Sequence, residues 1–357
     1  MHDLSVIELS GSPWELGHRH GQKLARGIRA MRRGLLRYLL KAGLVVGACP
    51  IMGILLLLGR RFWPAVPRPF QEEMQGVAAG AQVNLSFILL INVLDDLANN
   101  VPRCSGLAAG GDYTADGFYL AGRNLDYPLF IDELISHQTL FVVEPHRGKP
   151  FASLAWPGYI GVCTGLSKAG VAMSQLSAMS RDTSLKGMPA ALRFRQGLET
   201  AASLPEAAQA ILAVKGTIGN NVLLASADEA CVLELSATRG VVRPPLAGLL
   251  TVTNHYQTPA MAPWRGRFPR RPPFSPLSSY YFSEDYSRSR DARLQELAQN
   301  KILRPEDVQT ILADADIANP GTVASLVFNP AERTLWVARG QKPPVNRGLF
   351  QKIKPWH

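Results

Sequence analysis

The chain has 357 residues, of which 46% are hydrophobic and 18% are charged, and its formal net charge is +10. This composition is typical of a folded protein and excludes a disordered one, while the length is compatible with one large core or two smaller ones. The four cysteines form neither a C-x-x-C pair nor a metal-ligand spacing. We therefore predict a reducing compartment, with no disulfide framework and no metal site.

Positive charge is concentrated near the start of the chain. Eleven Lys or Arg residues and no acidic residue lie between Glu15 and Glu72. No nucleic-acid-reading motif accompanies them, so we predict no nucleic-acid partner. The opening sequence "MHDLSVIELS" lacks the basic start and apolar run of a signal peptide. We expect a cytoplasmic protein that lies peripherally on the inner membrane surface.

The membrane expectation depends on residues 24–63. Apolar residues recur there at helical spacing, at Leu24, Ile28, Met31, Leu35 and Leu39. Basic residues form a second stripe, and the uncharged run 42–59 follows. This pattern predicts an amphipathic segment on an anionic membrane surface. A buried or oligomer-interface helix and a span through 42–59 are the alternatives, although Pro50 and the glycines weaken a span.

The first hundred residues are predicted to be mainly helical. Ser12 is a predicted N-cap with Pro13 at the first helical position, and further helices are predicted over 69–83 and 85–101. His18 and His20 lie two positions apart on a helix and point to nearly opposite faces. They are therefore not expected to share a metal ion.

After Cys104 the sequence changes to short apolar or alternating runs separated by Gly, Asp and Pro. These runs predict strands over 117–124, 139–145, 151–158, 159–167, 170–177, 221–228, 230–237, 249–255, 322–330 and 334–340. Helices are predicted over 190–213 and 287–300. The pattern favours an α+β fold of two antiparallel layers with helices outside. Glycine-rich phosphate loops and the G-x-S-x-G elbow of serine hydrolases are absent from the sequence.

Cys104 is the candidate nucleophile. The run "GRNLD" places Arg123 and Asp126 three residues apart shortly after it. A nearby guanidinium lowers the pKa of a thiol, so these residues suit activation of a cysteine. An inert buried thiol and a surface ion pair are the structural alternatives.

Residues 104–128 resemble the N-terminal nucleophile (Ntn) hydrolases of the choloylglycine hydrolase and penicillin V acylase type. They are still more similar to the isopenicillin-N acyltransferase branch, and acid ceramidase is a more distant relative. The motifs "CS", "TADG" and "GRNLD" occur in the family's order, followed by segments 165–177, 251–256 and 287–297 and a closing hairpin over 322–340. The resemblance implies a four-layer αββα sandwich of two antiparallel sheets flanked by helices.

The resemblance also implies an activation step and a set of site residues. The chain would cut its own Arg103–Cys104 bond and so separate a leading segment, 1–103, from a catalytic domain, 104–357. The leading segment would be a propeptide or a small subunit. The freed α-amino group of Cys104 would then serve as the base. Asn254 would correspond to the oxyanion-hole side chain and Arg290 to the family's second arginine, with no cofactor.

Two positions depart from the family pattern. Ser177 stands where the bile-salt branch has an asparagine, and Arg103 precedes the nucleophile where several relatives have a smaller residue. We expect an autoproteolytically activated cysteine amidohydrolase that cleaves a non-peptide or linear amide bond through a thioester intermediate. The expected substrate is a small-molecule N-acyl amide of the fatty-acyl type, with a small soluble amide as the alternative substrate. The alternatives are an acyltransferase with an amine acceptor, a non-enzymatic membrane-binding protein, and a serine or thiol esterase with His255 as base. A homo-oligomer is left open.

Overall fold

The computed structural model describes residues 4–41, 48–98, 103–272, 275 and 277–356. Two β-sheets pack face to face, and helices cover their outer faces. The larger sheet has the strand order β1 (Ser5–Gly11), β4 (Thr139–Pro145), β5 (Phe151–Ala155), β6 (Thr164–Ser167), β7 (Ala172–Ser177), β8 (Asn220–Ala225), β9 (Ala230–Leu235), β10 (Gly240–Arg243). The smaller sheet has the order β11 (Leu249–Val252), β2 (Arg103–Ala109), β3 (Leu120–Asp126), β12 (Thr322–Asn329), β13 (Thr334–Ala338), β14 (Phe350–Ile353). The predicted α+β sandwich of two sheets flanked by helices is confirmed.

Most α-helices of the described residues fall into three groups. Those of the leading segment are α1 (Pro13–Lys41), α2 (Ala48–Arg60), α3 (Arg68–Ala81) and α4 (Leu85–Ala98). Those beside the larger sheet are α6 (Ala190–Thr200) and α7 (Leu204–Leu212), and those beside the smaller sheet are α8 (Glu284–Ala298) and α9 (Pro305–Leu312). The short α5 (Ile131–Ser136) is separate from these groups and contacts α1 and β12. Each group buries an apolar stripe against its neighbour, as amphipathic helices do.

Strand alternation divides the core into layers. On β2 and β3, Cys104, Ala108 and Leu125 belong to the apolar cluster between the two sheets. Leu107 and Leu120 lie on the opposite face and pack against α8 and α9. Because successive strand residues point to opposite faces, one strand serves both layers. The inter-sheet layer therefore receives the cysteine side chain.

The leading segment is built into the sandwich. β1 pairs with β4 along the edge of the larger sheet. This pairing is parallel, so the sheet is not wholly antiparallel as predicted. α1 and α3 pack closely through glycines. A Cβ atom added at Gly17 would lie 1.9 Å from the carbonyl oxygen of Glu73, and a Cβ atom added at Gly76 would lie 2.3 Å from the carbonyl oxygen of Trp14. Close backbone approach explains why these helices carry small residues.

Several local predictions can be compared with the structure. Ser12 caps α1 together with Glu15, since the Ser12 N–H donates to Glu15 Oε2 at 2.8 Å and the Glu15 N–H donates to Ser12 Oγ at 3.4 Å. The single helix predicted over 190–213 is two helices, because Ser203 caps a new helix that begins at Leu204. Strands β1, β2, β10 and β14 and helices α5 and α9 are not among the elements predicted from the sequence.

The apolar stripe of α1 faces the protein rather than a membrane. Ile28, Leu35 and Leu39 are buried, and Ile28 and Leu35 pack in the cluster formed with α3 and α4. Of the uncharged run, residues 42–47 lie outside the described part of the chain. The rest belongs to α2, which packs on α4 and leaves Ile54 and Leu57 exposed. In the described residues, the helices are too short or too polar to cross a membrane.

Candidate active site

Strands β2 and β3 bring a thiol and a guanidinium together between the sheets. Cys104 lies opposite Leu125 in the antiparallel ladder, and Arg123 lies opposite Gly106. Residues two apart on a strand share a face, so Arg123 is a diagonal neighbour of Cys104. Arg123 Nη2 donates a hydrogen bond to Cys104 Sγ at 3.1 Å. The strand register thus places the arginine against the sulfur.

The larger sheet holds Arg123 in this position. Its Nη1 donates to the Cys163 carbonyl oxygen at 3.1 Å and to Thr164 Oγ1. The arginine side chain is fully buried. Because the planar guanidinium donates in fixed directions, these bonds orient its other nitrogen toward Cys104 Sγ.

Asn254 and Arg290 hold the backbone of Cys104. The Cys104 N–H donates to Asn254 Oδ1 at 3.0 Å, and Arg290 Nη1 donates to the Cys104 carbonyl oxygen at 2.9 Å. Arg290 Nη2 also donates to Asn254 Oδ1 at 2.8 Å. Asn254 follows β11, which pairs with β2, and Arg290 lies on α8. Together with Arg123, these side chains engage the nitrogen, the carbonyl oxygen and the sulfur of one residue.

Asn254 Nδ2 has a partner of its own. It donates to the Ser177 carbonyl oxygen at 2.7 Å. An amide nitrogen carries two hydrogens, so one is left for a further acceptor. The Ser177 hydroxyl is buried and has no hydrogen-bond partner in the described part of the chain. Ser177, which departs from the family pattern, therefore adds its hydroxyl as a second donor beside the Asn254 amide.

Asp126 lies on the face of β3 opposite to Arg123, because the two residues are three positions apart and successive strand residues alternate between faces. Its Oδ2 accepts from Arg290 Nη1 at 3.3 Å and from Asn319 Nδ2 at 2.8 Å, and its Oδ1 accepts from Thr322 Oγ1 at 2.7 Å. The carboxylate thus reaches Cys104 through Arg290. Burial raises the pKa of Asp126 to about 6, although Arg290 acts in the opposite direction.

The electrostatics of Cys104 differ from the expectation drawn from the motif. Burial raises the pKa of the Cys104 thiol, and the nearby Arg123 guanidinium offsets this only in part. Removing a group from water disfavours its charged form, and here that effect is the larger one. The thiol of the uncut chain therefore keeps its proton at neutral pH.

Arg103, the residue before the candidate nucleophile, is enclosed. Its side chain is fully buried, and its guanidinium carbon lies 5.0 Å from the ring centre of Phe282 and 5.6 Å from that of Phe268. Burial lowers the pKa of Arg103 to about 9. Arg103 and Cys104 are adjacent on a strand, so their side chains point to opposite faces of the smaller sheet.

The histidines have other roles in the packing. His255 Nδ1 lies 2.9 Å from Ser287 Oγ and 3.1 Å from Thr253 Oγ1, and burial lowers the pKa of His255 to about 4. Its ring makes no hydrogen bond to Cys104. His20 Nε2 accepts from the Gly158 N–H at 2.8 Å, whereas His18 stacks on Trp14. In the described residues, no His, Cys, Asp or Glu group forms a potential metal site.

Sequence reasoning missed three supporting residues: Asn319, Thr322 and Ser287. Asn319 and Thr322 bind Asp126, and Ser287 Oγ accepts from the Asn254 N–H at 2.9 Å. Asn319 precedes a Pro-Gly pair and Thr322 begins a predicted strand. Those signals indicate a turn and a strand but carry no information about a carboxylate partner.

An apolar cavity of about 90 Å³ lies beside this site, and we call it the inter-sheet cavity. Leu125, the ladder partner of Cys104, lines it, and so does Cys163, whose carbonyl oxygen binds Arg123. α1 and α4 contribute Met31 and Ile91. The Cys104 side chain is fully buried and does not itself line the cavity. The leading segment therefore supplies part of the wall of this cavity.

The chain is similar to one family over most of its length. The profile of the acyl-coenzyme A:6-aminopenicillanic acid acyl-transferase family matches residues 114–343, more than half of the chain. Among curated proteins, an uncharacterized protein of Archaeoglobus fulgidus is 28% identical over 308 residues, which is 72% of this chain and 51% of that protein. Protein dcd1A of Dictyostelium discoideum is 25% identical over 58% of this chain and 53% of its own length.

Other similarities are shorter or weaker. Acid ceramidase of Bos taurus is 28% identical over 28% of this chain and 27% of its own length. The chain thus spans about half the length, or less, of these curated relatives. Among solved structures, a Caenorhabditis elegans ortholog of N-acylethanolamine-hydrolyzing acid amidase has a TM-score of 0.47 at 19% identity, over 64% of this chain and 93% of that one. Penicillin V acylase from Agrobacterium tumefaciens has a TM-score of 0.43 at 13% identity, over 70% of this chain and 91% of that one.

Proposed function

Because the chain belongs to the acyl-coenzyme A:6-aminopenicillanic acid acyl-transferase family, we propose that it is a self-cleaving cysteine acylase that breaks the carbon–nitrogen bond of a linear N-acyl amide. Membership in this family agrees with the resemblance predicted from the sequence motifs. One observation carries the proposal: the sulfur, nitrogen and carbonyl oxygen of Cys104 are each hydrogen-bonded by a different side chain. Structural cysteines do not need such an arrangement, whereas a nucleophile must be aimed.

In the activation step, Cys104 Sγ adds to the carbonyl carbon of Arg103. The bond from that carbon to the Cys104 nitrogen breaks, and the nitrogen takes up a proton to become a free amine. Water then hydrolyses the thioester and releases the Arg103 carboxylate. Asn254 and Arg290 keep the residue in place, because their bonds to the Cys104 nitrogen and carbonyl oxygen do not involve the bond that breaks.

In turnover, the free α-amine of Cys104 replaces the histidine of other cysteine hydrolases. It accepts the thiol proton as Sγ attacks the substrate carbonyl, and it donates a proton to the departing amine. Water completes the cycle by releasing the acyl group as a carboxylic acid. Asn254 Nδ2 is the proposed donor to the oxyanion, and Arg123 stabilises the thiolate. Asp126 is a positioning residue that acts through Arg290.

The inter-sheet cavity supports an acyl chain as the group bound beside the sulfur, because its walls are mainly apolar. A second reaction is favoured by the family's description: transfer of the acyl group to an amine instead of water. Both reactions share the thioester. They are separated by adding a primary amine to the assay and measuring the transferred amide against the free acid.

The first experiment is intact-mass spectrometry of the purified chain under denaturing conditions. The wild type should appear as two pieces, one ending at Arg103 and the other beginning at Cys104. Cys104→Ala should appear as one uncut chain. Cys231→Ala is the matched control, because Cys231 is also a buried free thiol but packs on the far side of the larger sheet. It should be cut like the wild type. An uncut wild type that still hydrolyses amides would disprove the α-amine mechanism.

A further inference from the structure

The inter-sheet cavity contains an acidic group that the proposed mechanism does not use. Asp95 of α4 lines the cavity, and its Oδ1 accepts a hydrogen bond from the Tyr127 hydroxyl at 2.8 Å. In the described part of the chain, no Lys, Arg or His forms an ion pair with Asp95. A carboxylate in an apolar setting is costly unless a cation or several donors satisfy it.

The second carboxylate of the cavity provides a comparison. Glu133 also lines the wall, but Arg37 lies 3.6 Å from its Oε1 on the solvent side. The charge of Glu133 is therefore balanced from outside the cavity, whereas that of Asp95 is not. Burial raises the pKa of Asp95, and the bond from Tyr127 offsets this only in part.

The other walls near Asp95 are suited to a cation. Tyr127, Phe130, Trp156 and Tyr159 all line the same cavity. Aromatic faces attract ammonium groups through their quadrupoles, and this attraction strengthens when water is excluded. An anion surrounded by aromatic rings is the arrangement that recognises an alkylammonium group.

The orientation of the cavity indicates which part of a substrate would enter it. Cys104 and Leu125 face the inter-sheet layer together, and Leu125 lines the cavity. The acyl group becomes bonded to Cys104 Sγ during the reaction and must lie on the side to which Sγ points. The leaving amine instead lies near the Cys104 nitrogen, where Asn254 binds.

We propose that Asp95 is a specificity-determining residue that binds a protonated amine carried on the acyl group of the substrate. Tyr127 orients the carboxylate, and the aromatic walls surround the ammonium group. The assignment of this group to a substrate rests on the proposed acylase function, whereas the binding of an alkylammonium ion does not. Asp95 precedes Cys104 in the chain, so the leading segment would contribute directly to substrate selection.

The binding test uses the full-length Cys104→Ala chain, which has the uncut form described above. Binding of n-hexylammonium chloride and of 1-hexanol is measured by calorimetry. We expect the ammonium ion to bind at least about tenfold more tightly than the alcohol, as a charge-assisted bond implies. Adding Asp95→Asn should remove this difference. Adding Asp132→Asn should leave the difference unchanged, because this substitution removes the same charge from an exposed position on α5.

Equal binding of the two ligands, or a preference that survives Asp95→Asn, would overturn the ammonium site. The turnover test compares wild-type hydrolysis of the coumarin amides of 6-aminohexanoic and hexanoic acids, and we expect about a tenfold higher kcat/KM for the amino form. Hydrolysis of both without preference would refute the assignment to the acyl group and leave the acylase proposal standing. Binding that depends on Asp95, with neither amide hydrolysed, would instead contradict the acylase proposal.

Discussion

At the scale of single residues, the surroundings of Cys104 set the pKa of its thiol. Burial raises the pKa of its thiol, although Arg123 lies 3.1 Å from the sulfur. Cutting the chain before Cys104 would create a cationic amine next to the sulfur and so favour the thiolate. We therefore propose that cleavage of the chain and the nucleophilicity of Cys104 are coupled, with the uncut chain poorly suited to attack a substrate.

Asp126 gives a prediction about pH. Burial raises its pKa to about 6, so it loses its charge as the pH falls below that value. Arg290 then loses its anionic partner and holds Cys104 less firmly. We expect self-cleavage, followed by intact mass over time, to slow below about pH 6. The Asp126→Asn chain should cleave itself about 100-fold more slowly, because misplacing reacting groups lowers rates by about that factor. Its cleavage rate should also stay constant across this pH range.

Asp112→Asn is the control for this prediction, because Asp112 is an exposed carboxylate in the turn between β2 and β3. It should keep the rate and the pH profile of the wild type. If self-cleavage of Asp126→Asn still slowed below about pH 6, a group other than Asp126 would be responsible for the pH dependence.

At the scale of elements, a buried ion pair joins α3 to α6 across the predicted cleavage point. Arg195 donates from Nη1 to Glu73 Oε1 at 2.8 Å and from Nη2 to Glu73 Oε2 at 2.6 Å. Its guanidinium also lies over the rings of Phe70 and Phe151. Arg195 Nε also pairs with Glu199 Oε2 at 2.9 Å. Both side chains of the Arg195–Glu73 pair are almost fully buried, so the two guanidinium nitrogens that bind Glu73 cannot turn to water if this carboxylate is removed.

Removing this carboxylate should therefore destabilise the fold. We expect Glu73→Ala to lower the free energy of unfolding by about 3 kcal/mol or more, as breaking a buried pair does. Glu72→Ala removes the neighbouring carboxylate, which pairs with Arg68 at the surface, and should cost less than about 1 kcal/mol. Urea unfolding of the Cys104→Ala chain measures both without interference from cleavage. Similar losses for the two variants would contradict the buried-pair argument.

At the scale of the whole molecule, the leading segment is part of the folded body. β1 forms an edge of the larger sheet, and α4 binds the loop after β5 through Asn92, whose Nδ2 donates to the Gly158 carbonyl oxygen and whose Oδ1 accepts from the Ile160 N–H, each at 2.9 Å. Asp96 Oδ1 accepts from the Ala190 N–H at 3.0 Å. These bonds do not depend on the peptide link between Arg103 and Cys104.

We therefore expect the two pieces to remain together after cleavage, as a small subunit and a catalytic subunit. Size-exclusion chromatography of the cut protein should give one peak that contains both masses. The same sample in denaturant should separate them, because only non-covalent contacts would join them. Release of the leading piece under native conditions would identify it as a propeptide and would also remove Asp95 from the proposed site.

The sequence by itself determined much of the local structure and the order of the motifs. Alternating apolar runs indicated most strands of both sheets, and Ser12 indicated the start of α1. The spacing of Cys104, Arg123 and Asp126 indicated a candidate site. These features depend on near neighbours in the chain, and periodicity and turn chemistry express such relations directly.

Only the tertiary structure decided which distant groups meet. It buried the apolar stripe of α1 that the sequence assigned to a membrane surface, and it paired β1 in parallel with β4. It also placed Asn319 and Thr322 on Asp126 and brought Asp95 into a cavity beside Cys104. Contacts of this kind depend on strand pairing and helix packing across hundreds of residues, which leave no local periodic signal in the chain.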